Sequence, residues 1–171
     1  MRFFMLLALS CSLSFADILD LNSFKADFVQ TVTDEKHQVL TYKGSVVDLK
    51  PQYALWKYKE PVEKNVYIQK RRVTIVEPEL EQVIVRKINQ DFNIFTLIKN
   101  ATKIDTNSYL AKLDETEIVL EFKDEKLTSL SYKDKFDNDV KVVFSNQQHN
   151  LALPDETFTP LYSSEYDLIQ E

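Results

Sequence analysis

Residues 50–61, KPQYALWKYKEP, contain the only tryptophan of the chain and two of its five prolines. Side chains of an extended strand point alternately to its two faces. The alternation places two sets of three residues on opposite faces: Ala54, Trp56 and Tyr58 on one, and Tyr53, Leu55 and Lys57 on the other. A single strand cannot bury so much ring surface. We therefore expect flanking strands to curl around it, a helix to cover it and a ligand to fill the remaining gap.

The first sixteen residues, MRFFMLLALSCSLSFA, have the three parts of a secretory signal peptide. Arg2 supplies the positive charge, residues 3–9 supply the apolar run, and Ser14 and Ala16 are the small residues before the cleavage point. The apolar run is too short to span a bilayer. The pattern predicts cleavage after Ala16 and a mature protein outside the cytoplasm.

Cys11 is the only cysteine and lies inside the predicted signal peptide. One interpretation is that it is discarded with the signal, which leaves the mature chain without a disulfide, a thiol nucleophile or a thiolate metal site. The other is lipidation of Cys11 as the first residue of a lipoprotein. The apolar run ahead of Cys11 is short and lacks the usual leucine three positions before the cysteine, which favours the first interpretation.

Residues 17–171 are few enough to form one domain around one core. The chain carries a net charge of −6. An acidic chain without a strong basic patch argues against nucleic-acid binding, because phosphates require clustered Lys and Arg. The densest basic run, Lys70, Arg71 and Arg72, is interpreted as a solvated turn between two strands.

Alternation of apolar and polar residues predicts ten short strands separated by turns. Two of these turns are expected at residues 124–126 and 137–139, where Asp and Asn take the place of glycine. The connections between strands are too short to hold crossover helices, so neighbours are expected to pair antiparallel as a meander. Gly44, the only glycine, lies within the second of these strands and predicts a bend or a close backbone approach there. The predicted strands are residues 24–32, 38–49, 53–58, 64–69, 73–76, 82–88, 108–113, 117–123, 127–132 and 140–144.

The strand pattern breaks at residues 91–99, DFNIFTLIK, where apolar residues recur at helical spacing. Asp91 is the expected N-cap of this helix. Shorter helices are expected at residues 17–21 and as one turn at 153–158. The predicted fold is α+β and mainly antiparallel β: an incomplete, half-open β-barrel with helices covering its concave apolar face.

Residues suited to catalysis are few. His37 and His149 lie in polar segments that are typical of solvated turns. One glycine excludes a glycine-rich phosphate loop. Carboxylates such as those of residues 114–117 leave a glycosidase-like pair open, but solvated turn charge is the favoured interpretation. We expect no catalytic residue, no metal site and no cofactor, and a protein that binds something apolar.

Several short motifs of the chain occur in a known order. Residues 24–30, FKADFVQ, fit an aromatic-x-Ala-x-Phe-x-Gln strand, and residues 78–83, PELEQV, fit a strand-turn-strand motif. The other motifs are Gly44, Lys50-Pro51, Trp56 and Pro61 as a series, residues 95–98 as FTLI, and residues 158–160 as FTP. In this order they resemble the periplasmic outer-membrane lipoprotein carrier proteins of the LolA type.

The resemblance implies an incomplete barrel closed by helices around a pocket for lipoprotein acyl chains. It also implies a monomer in the periplasm, with acylated lipoproteins, an inner-membrane lipoprotein-releasing transporter and an outer-membrane acceptor as partners. The implied pocket residues are Val32, Trp56, Tyr58, Val66, Phe95, Leu97 and Ile98, with Lys50 as the latch of the lid. For each pocket residue, ordinary core packing is the alternative.

Three positions depart from the family pattern. The family usually has arginine where this chain has Lys50, an aromatic residue followed by arginine at Ala54-Leu55, and an aspartate-glycine turn near Gln69-Lys70. Lysine is a point donor where arginine offers a planar fork. The latch is therefore expected to be weaker or differently made.

Two other functions stay open. One is a sensor or interaction domain of the same architecture that binds a lipid or a mislocalised lipoprotein and reports it to a partner. The other is an enzyme that uses the cavity as a dry chamber, which the small histidine and cysteine inventory disfavours.

Overall fold

Twelve strands join into one open sheet in the computed structural model, which describes residues 20–89 and 93–170. The strands are β1 (Ser23–Thr33), β2 (Val39–Leu49), β3 (Tyr53–Glu60), β4 (Lys64–Gln69), β5 (Arg72–Glu77), β6 (Gln82–Lys87), β7 (Thr102–Lys103), β8 (Ser108–Leu113), β9 (Thr116–Lys123), β10 (Lys126–Lys133), β11 (Asp139–His149) and β12 (Asp167–Gln170). The helix α1 (Ile94–Lys99) lies between β6 and β7, and 3₁₀ helices span Pro78–Leu80 and Asp155–Phe158.

The sheet consists of two meanders that meet at β1. Its strand order is β12-β6-β5-β4-β3-β2-β1-β11-β10-β9-β8-β7. β1 pairs with β2 on one side and with β11 on the other, both antiparallel. The prediction of a mostly antiparallel meander is confirmed. The exception is β12, which pairs parallel with β6 because the chain crosses one face of the sheet before it returns to that edge.

All ten predicted strands are present, and the structure adds β7 and β12. The predicted strand 140–144 ends too early, since β11 continues to His149. Lys25 and Phe24 of β1 pair with Gln148 and His149, so backbone pairing extends the strand where hydrophobic alternation has stopped. His149 is therefore not a solvated turn residue: its ring stacks on Phe24 with centroids 5.8 Å apart.

The turns use acidic and amide residues where glycine is usual. Asp114, Asp124 and Asp137 all have positive φ, between 48° and 62°. Asp and Asn tolerate the left-handed region better than most residues because their short side chains bond locally to the backbone. The predicted turns at Asp124 and Asp137 are confirmed.

Both faces of the sheet bury apolar side chains, as the alternation in β3 predicts. Trp56 packs against one cluster, which defines the inner face, and Leu55 belongs to a second cluster on the opposite, outer face. The outer cluster is covered by the segment before β12, where Phe158 is fully buried and its ring lies 5.5 Å from that of Tyr53. The inner cluster is the larger and includes four residues of α1, namely Ile94, Phe95, Leu97 and Ile98.

The prediction that several helices cover the sheet is not supported. Within residues 20–89 and 93–170, α1 is the one α-helix, and it has six residues. The helix predicted at residues 17–21 begins outside the described part of the chain. The predicted signal peptide lies entirely outside it. The turn predicted at residues 153–158 is present as the 3₁₀ helix Asp155–Phe158.

Gly44 is required by a close approach between β2 and β3. A Cβ atom built on Gly44 would lie 2.0 Å from the carbonyl oxygen of Lys57 and 2.8 Å from the ring of Phe28. The register between the strands shifts at Lys43 and Gly44. The predicted close approach is confirmed: β3, which carries Trp56 and Tyr58, lies close against β2 at Gly44.

We expect Gly44→Ala to lower the free energy of unfolding by more than about 2 kcal/mol, because the added methyl meets backbone that cannot rotate away. Urea unfolding of the purified protein measures the change. Ser45→Ala, one residue along β2, is the matched control and should cost much less. A Gly44→Ala protein as stable as the control would contradict this account of the glycine.

Candidate functional site

The inner face contains an apolar cavity of about 250 Å³. β3 and β4 form one side of it, β8 to β10 form the other, and Leu97 of α1 lies against it. Its lining residues are Gln30, Trp56, Tyr58, Val66, Ile68, Leu97, Leu113, Thr116, Ile118, Leu130, Tyr132 and Val142. The lining is mostly hydrocarbon and aromatic with a few polar groups, which is the usual composition of a site for an apolar ligand.

Two wider surface depressions have a different character. One, of about 480 Å³, is lined by Tyr53, Gln69 and four cationic residues: Lys70, Arg71, Arg72 and Lys87. The other, of about 1020 Å³, lies over the turns joining β8 to β9 and β10 to β11 and is lined by many charged side chains. Both are more open and more polar than the inner cavity. The inner cavity is therefore the candidate site for an apolar ligand.

Burial along β1 shows which end of the inner face is open. Phe24 and Phe28 are 1% and 2% exposed, whereas Gln30 and Val32, further along the same face, are only half-buried. The rings of Trp56 and Tyr58 each lie 5.1 Å from that of Phe28. The closed end of the inner face is thus an aromatic group around Phe28, and the mouth lies toward Val32.

The structure brings four of the seven predicted pocket residues together. Trp56, Tyr58, Val66 and Leu97 line the cavity. Phe95 and Ile98 do not line it; they are 5% and 1% exposed and pack in the inner cluster. Val32 is half-buried on the inner face near the mouth and is outside the lining.

Asn93 fixes the start of α1. Its side-chain oxygen accepts a hydrogen bond from the Thr96 N–H at 2.8 Å, and its Nδ2 donates to the carbonyl oxygen of Pro51 at 2.7 Å. Asn93 is 1% exposed, so both bonds are shielded from water. The prediction of Asp91 as N-cap is wrong, although Asp91 itself lies outside the described residues. An Asn directly before an apolar run is also an N-cap signal, and it is this signal that locates the cap.

Lys50 contacts the helix that it was predicted to latch. Its Nζ lies 5.1 Å from the centroid of the Phe95 ring. A cation over an aromatic face contributes roughly 0.5 to 2 kcal/mol, depending on how far water is excluded. The loop between β2 and β3 therefore holds α1 twice, through Lys50 on Phe95 and through Pro51 on Asn93.

Asp48 is a buried carboxyl group beneath the start of α1, which sequence reasoning missed. It is 1% exposed, and among the described residues neither carboxyl oxygen has a hydrogen-bond partner. Burial raises the pKa of Asp48 to about 8, and the nearby Ile94 N–H opposes this only weakly. The group is therefore mainly protonated at neutral pH. Alternation would have placed Asp48 on the inner face, but only the pairing with Phe24 and Ala54 shows how deeply it is covered.

Polar groups in the cavity gather around Tyr58. Its hydroxyl donates to Oε1 of Gln30 at 2.9 Å, and the Nζ of Lys64 lies 4.6 Å from its ring centroid. Burial raises the pKa of Tyr58 and of Tyr132 above the usual tyrosine value. Both hydroxyls consequently stay protonated and can donate hydrogen bonds.

The described residues offer little for other chemistry. In residues 20–89 and 93–170, His, Asp, Glu and Cys side chains nowhere gather in a group of three that could bind a metal ion. The same part of the chain has no helix of the length and apolar character needed to cross a bilayer. The arrangement is suited to enclosing hydrocarbon beneath a short helix.

Solved structures share this architecture. A LolA-superfamily protein of Nitrosomonas europaea matches with a TM-score of 0.53 and 12% identity, over 85% of this chain and 94% of that one. An uncharacterised conserved protein of Thermus thermophilus matches with a TM-score of 0.56 and 8% identity, over 92% and 95% of the two chains. By fold, the chain is an open, mostly antiparallel sheet of the kind that these two proteins have.

Sequence comparison identifies the family. The model for the outer membrane lipoprotein carrier protein LolA matches residues 20–160. An outer-membrane lipoprotein carrier protein of Campylobacter jejuni is 36% identical over 91% of each chain, and one of Wolinella succinogenes is 33% identical over 94% of each. This chain belongs to the LolA family, whose name describes a carrier and not an enzyme.

We expect Asn93→Ala to lower the free energy of unfolding by about 1 to 2 kcal/mol, as is typical for loss of an N-cap. Because the bond to Pro51 is lost as well, amide hydrogen exchange should accelerate in α1 more than in β1. Asn100→Ala, at the exposed far end of the same helix, is the control. Equal acceleration in α1 and β1 would show that Asn93 does not act locally on the helix.

The carboxyl group of Asp48 should make stability fall as pH rises. Its pKa is raised on folding from 3.8 to about 8, so the folded protein binds the extra proton between those values. Stability should therefore decrease by up to about 1.4 kcal/mol per pH unit across that window. In Asp48→Asn, urea unfolding at pH 6.5 and pH 8 should show a smaller loss than in the wild type. Parallel losses in both proteins would contradict the raised pKa.

Proposed function

We propose that this protein is a periplasmic chaperone that shields the acyl chains of lipoproteins and carries them from the inner to the outer membrane. The observation that supports this most directly is the apolar cavity on the inner face, covered by α1, in a chain of the LolA family. The curated relatives are named outer-membrane lipoprotein carrier proteins.

Transfer energetics explain why a carrier is needed. Burying an acyl chain is worth about 0.8 kcal/mol per methylene group. A chain of lipid length left in water is therefore costly enough to prevent free diffusion between membranes. An enclosing apolar cavity removes that cost while the cargo crosses the aqueous space.

The size of the cavity implies that loading moves α1. Ligand pockets commonly measure about 300 to 1,000 Å³, and the cavity measures about 250 Å³. A lipoprotein acyl group of lipid length needs more room than this. In the proposal, the space comes from displacement of α1, whose Phe95 and Ile98 belong to the inner cluster.

Displacement of a packed helix also explains release without nucleotide. Each apolar side chain of α1 that leaves the inner cluster subtracts from the gain of burying cargo, so the net affinity is lower than that of an open cavity. Moderate affinity allows an acceptor with stronger binding to take the cargo.

The predicted site residues take four proposed roles. Trp56, Tyr58, Val66 and Leu97 form the cavity wall, and Val32 lies at the mouth. Phe95 and Ile98 hold the lid closed when no cargo is bound. Lys50 is the latch, and its position over the Phe95 ring supports this role.

The remaining features of the proposal come from the family. The open sheet acts as a half-open barrel, and residues 17–171 act as one domain after removal of residues 1–16. The protein works as a monomer that receives cargo from an inner-membrane lipoprotein-releasing transporter and delivers it to an outer-membrane acceptor. Its relatives' names support an outer-membrane destination for the cargo.

Release from spheroplasts tests the proposal. Purified residues 17–171 are incubated with energised spheroplasts of the source organism, and the soluble fraction is examined for lipoproteins in complex with the protein. Stoichiometric soluble complexes are expected. Lipoproteins that bind the protein but stay in the membrane would overturn carriage and favour a sensor.

In the same assay we expect Phe95→Glu to reduce soluble complexes at least tenfold, because a charged side chain is costly to bury in the lid or against acyl chains. Leu161→Glu is the control, since Leu161 is 77% exposed and belongs to the segment before β12, which covers the outer face. Circular dichroism of both variants shows whether the sheet is folded. Normal loading by a folded Phe95→Glu protein would refute a lid role for α1.

A further inference from the structure

Two polar side chains in the apolar cavity have hydrogen-bonding capacity that the described residues do not use. Oε1 of Gln30 accepts from Tyr58, which leaves the Nε2 group of Gln30 without an acceptor among those residues. Tyr132 lines the same cavity, and its hydroxyl has no hydrogen bond to the described part of the chain. An amide and a hydroxyl at the edge of a hydrocarbon site thus both retain a proton to donate.

The register of the sheet shows that the two groups are close to each other. Gln30 of β1 is paired with Val142 of β11, while Tyr132 of β10 is paired with Val140 of the same strand. Gln30 and Tyr132 therefore flank β11 on the inner face, roughly 12 Å apart at the backbone given the spacing between strands and the two-residue offset along β11. A single bound molecule in the cavity can reach both.

Their position relative to the closed end gives the direction of the ligand. Phe24 and Phe28 lie at the buried end of β1, and Gln30 follows toward the mouth. An alkyl chain that enters tail first would run along the cavity wall toward Leu97. The carbonyl group at the root of the chain would then lie near Gln30 and Tyr132.

We propose that Gln30 and Tyr132 form a carbonyl-binding site at the mouth of the cavity, which recognises the ester or amide carbonyl oxygens of acyl groups. This inference rests on the proposed function and adds to it a polar specificity for the acyl linkage. Nε2 of Gln30 and the hydroxyl of Tyr132 donate to the carbonyl oxygens, and the Tyr58 hydroxyl holds the Gln30 amide in orientation. Without such a partner, the two donors would lose water on ligand binding and gain nothing in return.

A matched pair of small probes tests the carbonyl site. Methyl laurate carries an ester carbonyl, and dodecyl methyl ether has the same twelve-carbon chain without one. Displacement of the apolar dye N-phenylnaphthylamine from residues 17–171 measures the affinity of each probe. The variants are Gln30→Leu, Tyr132→Phe and the double variant; the controls are Gln148→Leu and Tyr162→Phe, which change exposed residues of the same types.

We expect the wild type to bind methyl laurate about tenfold more tightly than the ether. The double variant should lose most of that preference, with ether affinity within twofold of the wild type, and each single variant should lose part of it. Tyr132→Phe removes only the hydroxyl, so the ring still packs against the inner cluster. This variant therefore keeps the test valid if Gln30→Leu does not fold.

The outcomes separate this inference from the proposed function. Equal affinity of the wild type for both probes, or equal weakening of both in the variants, would overturn the carbonyl site while leaving an apolar cavity intact. Failure of the wild type to bind either probe would overturn acyl binding itself, and the carbonyl site with it.

The acyl carbonyl could belong to a lipoprotein or to a phospholipid. A synthetic dipalmitoyl-glyceryl-cysteine peptide and dipalmitoyl phosphatidylglycerol, each tested in the same displacement assay, distinguish the two sources. Tighter, Gln30- and Tyr132-dependent binding of the peptide would assign the site to lipoprotein cargo. The same dependence with the phospholipid favoured would assign it to phospholipid, and independence from both residues would overturn the site.

Discussion

The pairing of β1 with β11 is the contact on which the rest of the structure depends. It joins two meanders that are otherwise separate in the sheet order, and it links residues more than a hundred positions apart, as in Phe24 with His149. Closing so long a loop is entropically costly, and the inner cluster offsets that cost by burying side chains from both meanders. The cavity lies across this junction, with Trp56 on one side and Ile118 on the other. Site and fold are therefore stabilised by the same contacts.

Local patterns predicted the features that local chemistry determines. Alternation in residues 53–58 predicted which side chains of β3 share a face, and the acidic turn residues Asp124 and Asp137 marked two hairpins. What the pattern missed depends on distant partners. β11 extends to His149 because β1 offers it a backbone ladder, and β12 runs parallel to β6 because the preceding segment crosses the outer face. No window of neighbouring residues contains that information.

The same distinction explains which site residues were predicted correctly. The stripe in α1 consists of Ile94, Phe95, Leu97 and Ile98, and all four are buried. Spacing alone cannot tell which of them contacts the cavity, and only Leu97 does. Asn93 and Asp48 were missed for a related reason: their environments are formed by residues of other elements, the Pro51 carbonyl in one case and the cover of α1 in the other.

A six-residue helix is too short to be stable alone, since isolated helices below about 12 residues are marginal in water. The position of α1 therefore depends on its contacts with the inner face, Lys50 and Pro51. Because α1 has only six residues, a ligand that offers comparable apolar burial would be able to replace these contacts. Asp48 beneath the first turn stays neutral while covered. Exposure would let its carboxyl group ionise, which favours exposure increasingly as the pH rises from the ordinary pKa of 3.8 toward the raised value of about 8. In the proposed carrier, the free energy of opening α1 is set by a handful of residues, so substitutions there would tune cargo affinity without altering the sheet.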